Sequence, residues 1–184
     1  SEYFSVTDNT QPVVTITTPS ESSIGEIINI QWSSSDNTEL RSHHIYYSQD
    51  SGFEFIFIDS VGGAESNLSW VAPNFVSEQV RVRVATYDIV NLSSSDTSAF
   101  FSITDDTPPS IFVNTPNSDT SIPEYDEFVT SWSASDNIAM DSVEIYYSNN
   151  GGSEFTLMGQ VPYPTSNYAF SIPSGVTNSA QVRL

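Results

Sequence analysis

Asp8 and Asn9, Asp36 and Asn37, Asp88 and Asn91, then Asp105, Asp106, Asp136 and Asn137 place carboxylate and amide oxygens at the turns of this chain. Hard divalent cations take about six to eight oxygens from carboxylates, amides and backbone carbonyls. If the fold gathers these groups, they form a structural calcium site. Asp and Asn also cap turns and tolerate unusual backbone angles, which is a use that needs no metal. Both readings stand on the sequence. There is no EF-hand spacing, so a cation site requires residues far apart in the chain to meet.

Other chemistry finds less support. His43 and His44 are the only histidines, and adjacent strand residues point to opposite faces, so the two do not chelate one metal. A nucleophile, base and orienter need a histidine held in a cleft, and no motif surrounds His44. Nothing in the pattern pairs two carboxylates across a cleft as a glycosidase requires. The expectation is a protein that is not an enzyme. Tyr46, Tyr146 and the apolar run Phe53 to Ile58 present rings that suit either a sugar or a covering neighbour. Asn67-Leu-Ser69 and Asn91-Leu-Ser93 fit glycosylation sequons, which arise by chance in Asn/Ser-rich chains.

The composition narrows the partners. Against 23 Asp and Glu stand four Arg and no Lys, a formal charge of −19 over 184 residues. Such a field repels phosphate backbones and anionic lipid, so nucleic acid and polybasic membrane attachment are not expected. No apolar run is long enough to span a bilayer, so direct membrane insertion is not expected either. The chain has no Cys, leaving stability to core packing, with help from metal where it binds. At 38% hydrophobic and 12% aromatic it is rich enough to bury a core.

The elements that position the acids are short alternating strands. In Gly25 to Trp32, Ile28, Ile30 and Trp32 share a face; in Gln79 to Ala85, Val80, Val82 and Val84 do. Seven strands are predicted over 13–19, 25–32, 43–48, 53–58, 67–73, 79–85 and 98–103. Within the third, 43, 45 and 47 face inward and His44 outward. The whole series then recurs. Phe4-Ser-Val-Thr-Asp-Asn-Thr is restated by Phe101-Ser-Ile-Thr-Asp-Asp-Thr, Trp32 by Trp132, and Ile45-Tyr-Tyr-Ser by Ile145-Tyr-Tyr-Ser. The second copy carries about three extra residues in its first loop, around Asn117 to Asp126, where insertions are tolerated. Its Gln181-Val-Arg-Leu184 aligns with Gln79-Val-Arg-Val82, which leaves the final strand missing.

The expected architecture is all-β: two tandem seven-stranded antiparallel β-sandwiches, the second incomplete. Residues 1–7 read as the last strand of a preceding domain or as a donor strand, 8–104 as the first sandwich and 105–184 as the second. A free strand at Glu2 to Val6 and an open second sandwich allow donor-strand exchange between copies.

The Trp closing the second strand, the Ile-Tyr-Tyr third strand and the Val-Arg-Val-Arg-Val-Ala sixth strand resemble fibronectin type III and bacterial immunoglobulin-like repeats. So does the Asp88–Asn91 turn. The likeness covers the whole chain and implies a repeat module of a large secreted or surface protein. Gln79 and Gln181 stand where the fibronectin pattern often has Tyr, and no Arg-Gly-Asp occurs. In a sandwich of this kind the entry linker, the turn after strand two and the turn before strand seven share one pole. That arrangement is similar to cadherin junctions, where calcium stiffens the link between domains. The expected function is structural or adhesive, at the cell surface or secreted: extending, stiffening or assembling a surface protein or fibre. The expected partners are neighbouring domains or copies of the same protein. A carbohydrate-binding accessory module of a secreted hydrolase is the alternative.

Overall fold

The computed structural model describes residues 2–17, 19–117 and 120–184. Thr18, within the first expected strand, and residues 118 and 119, within the expected insertion, lie outside them, as does Ser1. The chain forms two compact units, Ser1–Asp106 and Thr107–Leu184. All regular structure is β, and no helix of the described residues is long and apolar enough to cross a membrane.

Alternation builds the first unit. β1 (Val13–Ile16), β3 (Ile27–Ser35) and β6 (Asn67–Val71) form one antiparallel sheet in the order β1-β3-β6. Opposite it lie β2 (Ser22–Ser23), β9 (Phe101–Thr104), β7 (Ser77–Asp88), β4 (Leu40–Ser48) and β5 (Ile56–Gly62), with β8 (Ser93–Thr97) also on β7. The sheets make a β-sandwich, with strand orders β1-β3-β6 and β2-β9-β7-β4-β5. Ile28, Ile30 and Trp32 from one sheet meet Ile45, Val80, Val82, Val84, Phe101 and Ile103 from the other. Ile30, Ile45, Val80, Val82, Val84 and Ile103 are fully buried. Burial of each such aliphatic chain stabilises the fold by roughly 1.5–3 kcal/mol.

Several strand ends differ from expectation. β1 ends at Ile16, short of the expected 19, and a separate, unexpected two-residue strand, β2, pairs in parallel with β9 through Ser22↔Ile103 and Ser23↔Thr104. The last strand breaks, at Ser98–Phe100. Ser98 turns its Oγ inward to accept the Val82 N–H at 3.0 Å and donates to the Ala99 carbonyl at 2.8 Å. The fourth strand starts at Ile56 rather than Phe53, because the preceding residues form a side-chain-locked turn. There Ser48 Oγ accepts from the N–H of Gly52 at 2.9 Å and donates to Asp50 Oδ1 at 2.6 Å. Phe53 is left in that turn, exposed, so the run 53–58 is not a strand apolar on both faces.

The second unit repeats the plan with β10 (Ser110–Thr115), β11 (Glu127–Ser135) and β14 (Asn167–Ser171) in one sheet. β12 (Ser142–Ser148), β13 (Thr156–Pro162) and β15 (Gln181–Arg183) form the other. Its core gathers Phe128, Trp132, Val143, Ile145, Tyr147, Phe170 and Ile172. Even the irregularities recur, with a bulge after Ile45 against β5 and after Ile145 against β13.

Register corrects the alignment of the last stretch. Tyr146↔Arg183 and Ser148↔Gln181 in the second unit match Tyr46↔Arg83 and Ser48↔Arg81 in the first. Gln181 is therefore the counterpart of Arg81, and Ser179, whose carbonyl accepts the Gly151 N–H, is the counterpart of Gln79. The repeated Val-Arg misled the sequence alignment by two residues. The second unit has a groove of about 630 Å³, lined by Ile122, Phe128, Tyr147, Ile172, Ala180 and Val182 among others. Residues Glu2 to Val6 belong to no sheet, and Tyr3, Phe4 and Val6 are exposed.

Candidate functional site

Three chain segments deliver acids to one pole of the first unit. Asp8 comes from the entry segment, Asp36 from the turn after β3, and Asp88 from the end of β7. One carboxylate oxygen from each lies within 4.8 Å of the others. Asp88 is there because the inward alternation of Val80, Val82 and Val84 continues through Thr86 to Asp88, both fully buried.

Each acid is fastened by its own turn. Asp88 Oδ1 accepts from the N–H groups of Val90 and Leu92 at 2.9 and 2.8 Å. Asp36 Oδ2 accepts from the Thr38 N–H at 3.1 Å and from Thr38 Oγ1 at 2.7 Å. Asp8 Oδ1 accepts from the Thr10 N–H and Asn37 Nδ2, and its Oδ2 from Thr38 Oγ1 at 3.0 Å. Those bonds, the Thr10 N–H first, hold the Asp8 carboxyl below its ordinary value. The remaining oxygens, Asp88 Oδ2 and Asp36 Oδ1, are shut from solvent and have no hydrogen-bond partner.

The other expected ligands are distributed differently. Asn37 turns its amide N–H₂ to Asp8 and so positions that acid. Asn91 is exposed at φ 74° and shapes the Asp88–Leu92 turn. Asn9 is exposed beside Asp8. Asp105 and Asp106 end the first unit, whereas Asp136 and Asn137 belong to the second. Asp136 Oδ1 there is buried without a hydrogen-bond partner. Thr38, which bonds both Asp8 and Asp36, is absent from the expected set. The signal was the recurring Asp-Asn-Thr phrase at 8–10 and 36–38; the second unit has Ile138 at the Thr38 place.

His43 is a core residue. Its Nδ1 lies 2.9 Å from Thr86 Oγ1 and its Nε2 3.3 Å from the Gly63 carbonyl oxygen, with the ring edge-on to Trp32. Burial lowers its basicity below the ordinary histidine value. His44, on the outer face, lies between Tyr87 and Phe57.

The outer face of β4, β5 and β7 carries a row of rings. Arg83 lies over Tyr46 at 4.9 Å and Phe55 at 4.2 Å, and Tyr46 meets Phe57 edge-on. The second unit keeps the clamp, with Arg183 over Tyr146 at 4.6 Å and Phe155 at 4.3 Å. It does not keep the rest: Glu144 stands for His44 and Leu157 for Phe57. Tyr146 donates to Glu144 at 2.5 Å, which raises the phenol above its ordinary value.

No family model matches the chain. No curated protein matches it in sequence. Among solved structures, the fibronectin(III)-like modules of Clostridium thermocellum CbhA are similar at 14% identity and a TM-score of 0.36, over 89% of this chain and 80% of theirs. The β-sandwich assignment rests on the strand pairing itself.

Proposed function

We propose that the chain is a pair of non-catalytic structural modules from a secreted or cell-surface protein, which extend, stiffen or assemble it. The observation that carries this reading is which features the two units share. Both keep the core tryptophan, the inward faces of their central strands, the bulge, and the Arg clamp over two rings. Both also keep the serine-locked turn, with Ser148 Oγ accepting the Gly152 N–H at 3.0 Å as Ser48 does that of Gly52. These are scaffold features. The groups that would recognise a ligand, His44 and Phe57, are exchanged for Glu144 and Leu157. A module repeated for reach needs its scaffold repeated and not its outer face.

The competing reading is a carbohydrate-binding accessory module, favoured by the row His44, Phe57, Tyr46 and Phe55 on one face of the first unit. A polysaccharide pull-down and glycan array with the 184-residue chain separate the two. The structural reading predicts no saturable binding. Saturable binding lost on Tyr46→Ala and Phe57→Ala overturns it in favour of the accessory module.

A further inference from the structure

We propose that Asp8, Asp36 and Asp88 form a binding site for a single calcium ion at one pole of the first unit. The convergence alone has an ordinary explanation, since each acid caps a turn. Capping uses one oxygen of Asp88 and one of Asp36. It leaves Asp88 Oδ2 and Asp36 Oδ1 buried and without a hydrogen-bond partner, on side chains of which Asp88 is fully buried. A buried carboxylate oxygen that lacks a hydrogen-bond partner, on a side chain gathered with two other carboxylates, is unfavourable until a cation joins them. The chain has no Lys; of its four arginines, Arg81, Arg83 and Arg183 lie over aromatic rings, and Arg41 is exposed on β4.

The dimensions fit calcium. Oxygens bind it at about 2.3–2.6 Å, so opposed ligands span about 4.6–5.2 Å. The three acids offer oxygens within 4.8 Å of one another. Magnesium, at about 2.0–2.1 Å, demands near-ideal octahedral geometry, keeps its waters and takes one or two carboxylates. Three carboxylates already fastened by their turns suit the larger and more tolerant ion. Because Asp8 belongs to the entry segment, the ion would tie that segment to the turn after β3 and to the end of β7. Thr38 bonds both Asp8 and Asp36, so it positions two ligands and is not itself required to bind metal.

The test uses the 184-residue chain, calorimetric titration with CaCl₂ or MgCl₂, and melting in calcium against EGTA. Calcium at about a hundredfold over its Kd is expected to raise the first unit's Tm by roughly 10–20 °C. Asp8→Asn and Asp36→Asn should each remove one equivalent of bound calcium or weaken it at least tenfold, whereas Asp59→Asn, at an exposed position, should not. Asp8 is half-buried in the entry segment, so Asp8→Asn keeps the test valid if Asp88→Asn fails to fold. The proposal is overturned by no calcium heat and an unchanged Tm, by binding that survives both Asp8→Asn and Asp36→Asn, or by magnesium binding as tightly as calcium.

Discussion

Ile103→Ala tests how the first sandwich closes. Ile103 is fully buried and belongs to the core cluster with Phe101, Val80 and Ile28. Its strand is held on both sides, by Ser22 of β2 and Ser77 of β7. The backbone therefore cannot collapse into the space the side chain leaves. Truncation of a buried Ile costs about 2–5 kcal/mol, and a site that cannot relax falls in the upper half of that range. At about 4–8 °C per kcal/mol for a domain of this size, the first unit's Tm should drop by roughly 14–40 °C. The assay is tryptophan fluorescence in a Trp132→Phe background, where the remaining reporters, Trp32 and Trp70, both lie in the first unit. A drop under about 5 °C would show that β9 does not close the core and would refute the argument.

Further outcomes follow from the same contacts. Ser48→Ala removes the acceptor of the Asp50 and Gly52 N–H groups and should destabilise the first unit by about 1–3 kcal/mol by denaturant titration, whereas Asp50→Asn, which installs the residue found at Asn150, should be close to neutral at pH 7. The Asp50 carboxyl is held low, first by the Ser48 hydroxyl and then by the Glu54 N–H, so its contribution is present above the unfolded value and lost as acid pH passes through the folded one; Asp50→Asn should flatten the acid limb of the stability curve, and an unchanged limb counts against the lock. Burial lowers the His43 basicity, so stability is full above about pH 6.5 and falls as pH drops from there through the lower folded value, by no more than about 1.4 kcal/mol per pH unit. His43→Gln should remove that slope, and matching profiles for the two proteins would refute it.

Side-chain alternation made the cores legible. Ile28, Ile30 and Trp32, and Val80, Val82 and Val84, were assigned inward from period two alone and are 0–4% exposed. The strand ends were not legible, because side-chain hydrogen bonds set them. Ser48 locks the turn that keeps Phe53 and Phe55 out of β5, and Ser98 breaks the last strand. β8, Ser-Ser-Ser-Asp-Thr, has no apolar period and pairs with β7 through its backbone. At the candidate site, counting turns placed Asp8, Asp36 and Asp88 at one pole. The depth of Asp88 was written in the same alternation, three residues past the expected strand end at Ala85 and at the residue where a polar turn was expected to begin. The role of Thr38 depends on a hydroxyl shared by two acids, a contact that spacing does not encode.

Stretching the chain between handles at its two ends tests the structural reading most directly. A module built to extend and stiffen under load predicts that the first unit resists and then gives way in one cooperative step. Release of the stretch from Val13 to Thr104 would lengthen the chain by about 300 Å. Smooth extension at low force, with no such step, would contradict the account.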